Sequence, residues 1–166
     1  IYNIDDDSLE NVTNDWFSDV QVSWHPNGEE LLFISDRGNH LQVGFMSNSS
    51  NFLDHNVENL DIYKINIFEE NIFRITDTEE NETYACYSPD KSKIAFISDK
   101  SGVNNIYISD INGESSQPVT NIMTGVTQLN WISNNQLIFT GFYKSGYDIF
   151  ILSMIKQEKL YKRSTD

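Results

Sequence analysis

The chain has 166 residues, of which 25 are acidic and 11 basic, and its formal charge is −14. A surface of that sign repels phosphate backbones and argues against nucleic acid as a ligand; no apolar run approaches the roughly 20 residues of a membrane-spanning helix, so no membrane insertion by this segment is expected. Aromatic residues make up 13% and lie along the whole length with Ile and Val, which favours strands, while the single cysteine, Cys86, allows no internal disulfide.

In chain order, residues 1–13 (IYNIDDDSLENVT) match 106–120 (IYISDINGESSQPVT) at Ile-Tyr, at an acidic turn and at a closing Val-Thr. They read as the last two strands of a repeat unit. The chain begins at Ile1 without Met, and the expectation is a piece of something longer. A first strand follows at 19–24 (DVQVSW), and then a turn at 25–28 (HPNG), where Pro26 fixes φ and Asn27-Gly28 tolerate positive φ. The second strand, 30–35 (ELLFIS), is apolar on both faces and is expected to be covered on both sides. An insertion at 40–59, rich in Asn, Ser and Phe, precedes the third strand at 61–66 (DIYKIN) and the fourth at 71–76 (NIFRIT). It reads as a surface loop and as the most protease-sensitive stretch.

The pattern then repeats. Residues 83–87 (TYACY), 93–98 (KIAFIS), 105–110 (NIYISD) and 117–120 (QPVT) form a second unit. Pro26/Pro89, Phe33/Phe96 and Asp36/Asp99 each stand 63 residues apart. A third unit runs through 126–131 (VTQLNW), 136–141 (QLIFTG) and 148–153 (DIFILS), with a fourth strand predicted at 159–164 (KLYKRS). It lacks the Pro-containing turn, having Ser133-Asn134-Asn135, and carries Thr140-Gly141 where the others have Ser-Asp. Tyr87 and Trp131 are 44 residues apart, a spacing within the range of propeller blades. The predicted fold is therefore all-β: a β-propeller of four-stranded antiparallel blades, about three and a half present, from a ring of six to eight. The units are 1–13, 19–76 with its insertion, 83–120 and 126–164.

The repeat resembles the TolB-type propeller repeat, a relative of the WD repeat with the pattern W-S-P-D-G-x-x-I-A-F-x-S-D-R-x-G-x-x-x-I-Y. The matching residues are Pro26, Asn27, Gly28, Phe33, Ser35, Asp36, Arg37, Gly38, Ile62, Tyr63 and Thr76 in one unit. In the next they are Ser88, Pro89, Asp90, Ile94, Ala95, Phe96, Ser98, Asp99, Gly102, Ile106, Tyr107 and Thr120. The resemblance implies a bacterial periplasmic or outer-membrane-associated protein whose propeller is one module among several.

Signatures of chemistry are weak. Asp36 and Asp99 recur at a strand end, and recurrence suits a structural acceptor for turn N–H groups better than one active site. His25, His40 and His55 show no metal-ligand spacing. Asp5-Asp6-Asp7 and Asp110 with its turn lack the spacing of a calcium loop and fit hairpins. No nucleophile elbow or phosphate loop occurs. No catalytic residue, metal site or cofactor is predicted. Trp24, Tyr87 and Trp131 are periodic and read as packing anchors, as do Phe33, Tyr63, Phe96, Tyr107 and Phe139. Cys86 reads as a core residue. Sequons at Asn11, Asn48 and Asn81 matter only in a eukaryotic secretory pathway. Trp16 and Phe17, on the connection between units, and His40, Phe45, Phe52 and His55, in the insertion, are the candidate partner-binding residues.

The expected function is a non-catalytic module that binds a protein or cell-envelope component. The alternative is a gating or accessory propeller of a serine peptidase, prolyl-oligopeptidase-like or tricorn-like, with its catalytic residues elsewhere in the parent chain. Three and a half blades leave two blade faces uncovered, so the rest of the ring is expected from the same chain or from self-association.

Overall fold

The computed structural model describes residues 1–45 and 56–154. Among them every regular element is a strand. The half unit is a short antiparallel pair, β1 (Tyr2–Asn3) and β2 (Ser8–Leu9). The first full blade has the order β3 (Asp19–Trp24), β4 (Glu30–Ser35), β5 (Asp61–Asn66) and β6 (Asn71–Arg74). The second comprises β7 (Glu82–Tyr87), β8 (Lys93–Ser98), β9 (Asn105–Asp110) and β10 (Gln117–Pro118). The third shows β11 (Val126–Ser133), β12 (Gln136–Tyr143) and β13 (Gly146–Ser153). All neighbours are antiparallel, as the up-and-down blade reading requires. The strand predicted at 159–164 lies outside the described residues, as do Phe52 and His55.

The repeated turn works as its residues dictate. Gly28 N–H donates to His25 O at φ +78°, and Lys91 takes the same place at φ +65°, donating to Ser88 O. Pro26 and Pro89 are exposed at these turns. In the third blade Asn134 and Asn135 form a two-residue loop between paired Ser133 and Gln136. Lys144 and Ser145, at φ +45° and +72°, make a second one between Tyr143 and Gly146. β12 therefore runs on past Thr140-Gly141, and its departure from Ser-Asp marks a tighter hairpin.

Stacking of the blades makes the core. Leu32, Ile34 and Ile62 of the first blade meet Ala85, Tyr87, Ile94, Phe96 and Tyr107 of the second. Cys86, Ala95, Ile97 and Ile106 of the second meet Val126, Leu137 and Phe139 of the third. The both-face burial expected of the second strands is present in β4 and β8. β12 instead alternates, because among the described residues its outer face has no neighbour. Ile149 and Ile151 stand there at 74% and 60% exposed, at positions paired as Ile106 and Ile108 are in the second blade.

Each first strand carries a bulge with one residue at positive φ: Gln21 (+54°), Tyr84 (+52°) and Gln128 (+52°). Gln21 Oε1 accepts from Tyr84 N–H at 2.6 Å, stitching one bulge to the next. The expected anchors divide. Tyr87 is buried, and Trp131 is half-buried with its indole N–H donating to Cys86 O at 3.2 Å. Trp24 is half exposed. It borders a cavity of about 460 Å³ with Ile1, Tyr2, Val22, Leu31, Phe33 and Ile65, where β1 and β2 cover only part of the first blade's face.

Candidate functional site

Two segments meet at the end of the first blade: the connection entering β3 and the loop leaving β4. Gly44 N–H donates to Thr13 O at 2.8 Å and ties them together. Val12 and Val43 pack on the blade core of Leu31, Phe33, Tyr63, Ile65 and Ile72. Gly38 and Gly44, at φ +56° and +70°, turn the loop back over the connection.

Beneath this join lies Arg37, whose side chain is fully buried. Its Nη2 reaches Asp19 Oδ1 and Oδ2 at 2.6 and 2.7 Å. Asp15 Oδ2 lies 3.2 Å from the same nitrogen but outside hydrogen-bond geometry. Burial pushes the Asp15 carboxyl above the usual carboxylate range, against the pull of Arg37. The guanidinium carbon lies 5.0 Å from the Phe33 ring centre, 5.3 Å from Phe17 and 5.7 Å from Tyr63. Tyr63 Oη donates to Gly38 O at 2.8 Å, and burial raises its hydroxyl far above the ordinary tyrosine value. The cation and the three rings fix the loop from below.

Above Arg37 three of the predicted partner-binding residues come together. Phe17 stacks on His40 at 5.2 Å and on Phe45 at 5.8 Å, and His40 lies 4.6 Å from Phe45. Trp16, the neighbour of Phe17, is 54% exposed, and Leu41 is 40% exposed. His40 is exposed, while Phe17 and Phe45 are half-buried. The result is a preorganised aromatic platform with an imidazole edge on an acidic protein. Rigid aromatic surface of this kind is what protein contacts use most effectively.

The recurrent aspartates accept hydrogen bonds from beyond their own turns. Asp36 Oδ1 accepts from Ser18 N–H at 3.0 Å and Asp99 Oδ1 from Asn81 N–H at 2.9 Å. The donor is the chain entering each first strand, which the antiparallel hairpin brings beside the end of the second. Each aspartate thus fixes the connection on which, in the first blade, Trp16 and Phe17 ride.

Sequence reasoning passed over two buried polar residues. Arg37 appeared only as a motif match. Glu82, aligned with Asp19 through their pairing with Ser98 and Ser35, is 2% exposed, and burial pushes its carboxyl up to about 7. The Cys86 thiol is pushed up to about 12 by burial, which leaves it an inert core group. Among the described residues no group of three or more His, Cys, Asp or Glu side chains is placed to hold a metal ion.

No family model and no curated relative matches the sequence. Solved structures do. A putative TolB from Agrobacterium tumefaciens superposes with a TM-score of 0.62 at 18% identity, over 82% of this chain and 46% of that one. TolB from Acinetobacter baumannii gives 0.58 at 19%, over 81% and 29%. The β-propeller domain of the Trilobed protease from Pyrococcus furiosus gives 0.53 at 19%, over 83% and 39%. The chain thus spans less than half the length of each of these structures. At such identities the likeness is one of fold, and the fold of this chain is a run of blades of a TolB-like β-propeller.

Proposed function

We propose that the chain is a non-catalytic propeller module that binds another protein or an envelope component through the Phe17–His40–Phe45 platform, with Trp16 and Leu41 at its edge. The observation that carries this reading is the stacking of three aromatic residues from two separate segments over a buried, ion-paired arginine. That cost in buried charge makes sense if the platform must keep its shape. A periplasmic or outer-membrane-associated location belongs to the same proposal and is supported by the repeat's resemblance alone. The test is site-specific photo-crosslinking in an envelope fraction, with the photoreactive group at Leu41 and, as control, at exposed Lys91. A defined adduct from Leu41 that disappears in a His40→Ser/Phe45→Ser variant of unchanged melting temperature is expected. Equal adducts from both positions would move the contact elsewhere. The fold is also that of a protease propeller, so a gating role beside a peptidase domain is the second reading; an α/β-hydrolase segment in the parent chain would decide for it.

A further inference from the structure

The three blades treat one position differently. At the start of the first strand stand Asp19, Glu82 and Val126, paired respectively with Ser35, Ser98 and Gly141 of the second strands. Asp19 has Arg37 as its counter-charge. Val126 is apolar and buried in the seam between the second and third blades. Glu82 is an acid with neither solution. The residue aligned with Arg37 is Lys100, which is exposed, and among the described residues no Lys, Arg or His pairs with Glu82.

What surrounds the Glu82 carboxyl is hydroxyl and like charge. Thr78 Oγ1 donates to Oε1 at 3.0 Å or to Oε2 at 3.2 Å, and Ser98 Oγ donates to Oε1 at 3.1 Å. Thr78 belongs to the first blade's exit, where its N–H donates to Asp61 Oδ1 at 3.4 Å, and Ser98 belongs to β8, so the carboxyl bridges the seam. The charge facing it from β5 is Asp61, 1% exposed, whose repulsion adds to the effect of burial. Arg74 of β6 is already committed, to Asp61 at 2.6 Å and to Asp77, 76% exposed, at 2.8 Å. Asp99, after β8, is held by Asn81. The backbone of the same segment is cross-linked to the end of the insertion: Glu82 N–H donates to Leu60 O at 2.8 Å, and Asn59 Nδ2 to Thr78 O at 2.9 Å.

We propose that Glu82 is a proton-operated latch on the seam between the first and second blades: neutral, its carboxyl completes the hydroxyl network across the seam; ionised, it sets an uncompensated charge opposite Asp61 and loosens the contact. The neutral acid donates one hydrogen bond to a threonine or serine oxygen and accepts the rest. The ionised form still accepts from Thr78 and Ser98, but it loses that donor and must be held away from water without a cation, and this cost of burial outweighs the hydroxyls. The direction follows from linkage. The folded carboxyl titrates near 7 instead of at its ordinary 4.5. Between those values the unfolded chain has already released the proton that the folded chain keeps, so stability falls as pH rises. The latch is closed below a pH of about 7 and open above it.

Carboxyl-carbon NMR on the intact chain reads the midpoint directly. A Glu82 titration near 7 is expected, and one near 4.5 overturns the latch. Urea midpoints of the wild type and Glu82→Gln from pH 5 to 9 read its consequence. Relative to the glutamine variant, the wild-type folding constant should fall by up to about tenfold per pH unit between 5 and 7 and then level off. Subtracting the variant removes every other titrating group; parallel curves overturn the proposal. Should the glutamine variant fail to fold, Thr78→Val serves: it removes a hydroxyl that favours the ionised form and should move the NMR midpoint above 7, whereas an unmoved midpoint refutes the network.

Discussion

Replacing Arg37 by alanine removes a fully buried guanidinium and leaves two carboxylates behind. Asp15 and Asp19 are 1% and 15% exposed, so water can do little for the first of them. Breaking a buried pair from one side costs about 3–5 kcal/mol, chiefly the penalty of the stranded charge. The rings of Phe17, Phe33 and Tyr63 also lose a cation, in contacts that do not add simply to the first term. A loss of about 4 kcal/mol is expected, which at a urea dependence of about 2 kcal/mol per molar moves the midpoint down by about 2 M. Acidification supplies the internal control. Burial already raises the Asp15 carboxyl with Arg37 present, and removing the cation takes away an interaction that lowers it. A group with a raised folded value gains stability as pH falls through that value. The variant should therefore recover more than the wild type between pH 7 and pH 5. The assay is urea unfolding followed by tryptophan fluorescence at both pH values. A variant within about 1 kcal/mol of the wild type at pH 7, or one with no extra recovery at pH 5, would refute the claim that this charge is buried and load-carrying for the platform.

The other expectations concern the blades. Phe96→Ala, at a position 3% exposed in the first seam, should cost about 3–5 kcal/mol by urea unfolding. Asp99→Ala should cost on the order of 1 kcal/mol, because it strands the Asn81 N–H at a half-buried site; a large loss of partner binding at unchanged stability would instead give Asp99 a direct role. Gly113→Ala should be the worse of two alanine scans. Gly113 is at φ +83°, where a Cβ would run into Ile75 O, while Gly102 is at +80° with open space around it. Both variants bear a left-handed penalty of about 1–2 kcal/mol, and only Gly113→Ala adds a clash with backbone, so equal melting temperatures for the two would argue against the close approach of the 110–114 turn to the neighbouring blade.

The blades were legible because their signal is periodic. Strands as long as Asp19–Trp24, Glu30–Ser35, Asp61–Asn66 and Asn105–Asp110 stand at the bounds that alternation and turn residues gave them. The bulges were not legible. Gln21, Tyr84 and Gln128 share a φ near +53°, but two amides and a phenol are not the residue types that mark positive φ in a sequence, and the register shift that puts them there is set by pairing with the second strand. The Ser18 and Asn81 donors to Asp36 and Asp99 were not legible for a similar reason, since a partner 18 residues back is invisible to a rule about local turns. For the platform, the residue types were found but not their grouping. A pair of glycines and an apolar pair, Val12 and Val43, bring Phe45 and His40 back over Phe17, and such a return leaves only a faint trace in sequence.

Where the copies disagree is where the repeat becomes informative. A position that must only fill space keeps its character, as Phe33, Phe96 and Phe139 do, all 3–6% exposed. The position of Asp19, Glu82 and Val126 does not, although the backbone pairing around it is the same in all three blades. The seams therefore share their apolar layer and differ in charge at one end: one ion-paired, one with a lone acid, one apolar. Apolar stacking is insensitive to pH. Under the proposal above, Glu82 is the buried carboxyl without a counter-charge through which one seam answers to pH. By this means a run of near-identical blades can yield to pH at one seam, because the position that carries the lone carboxyl there is ion-paired in one neighbouring blade and apolar in the other.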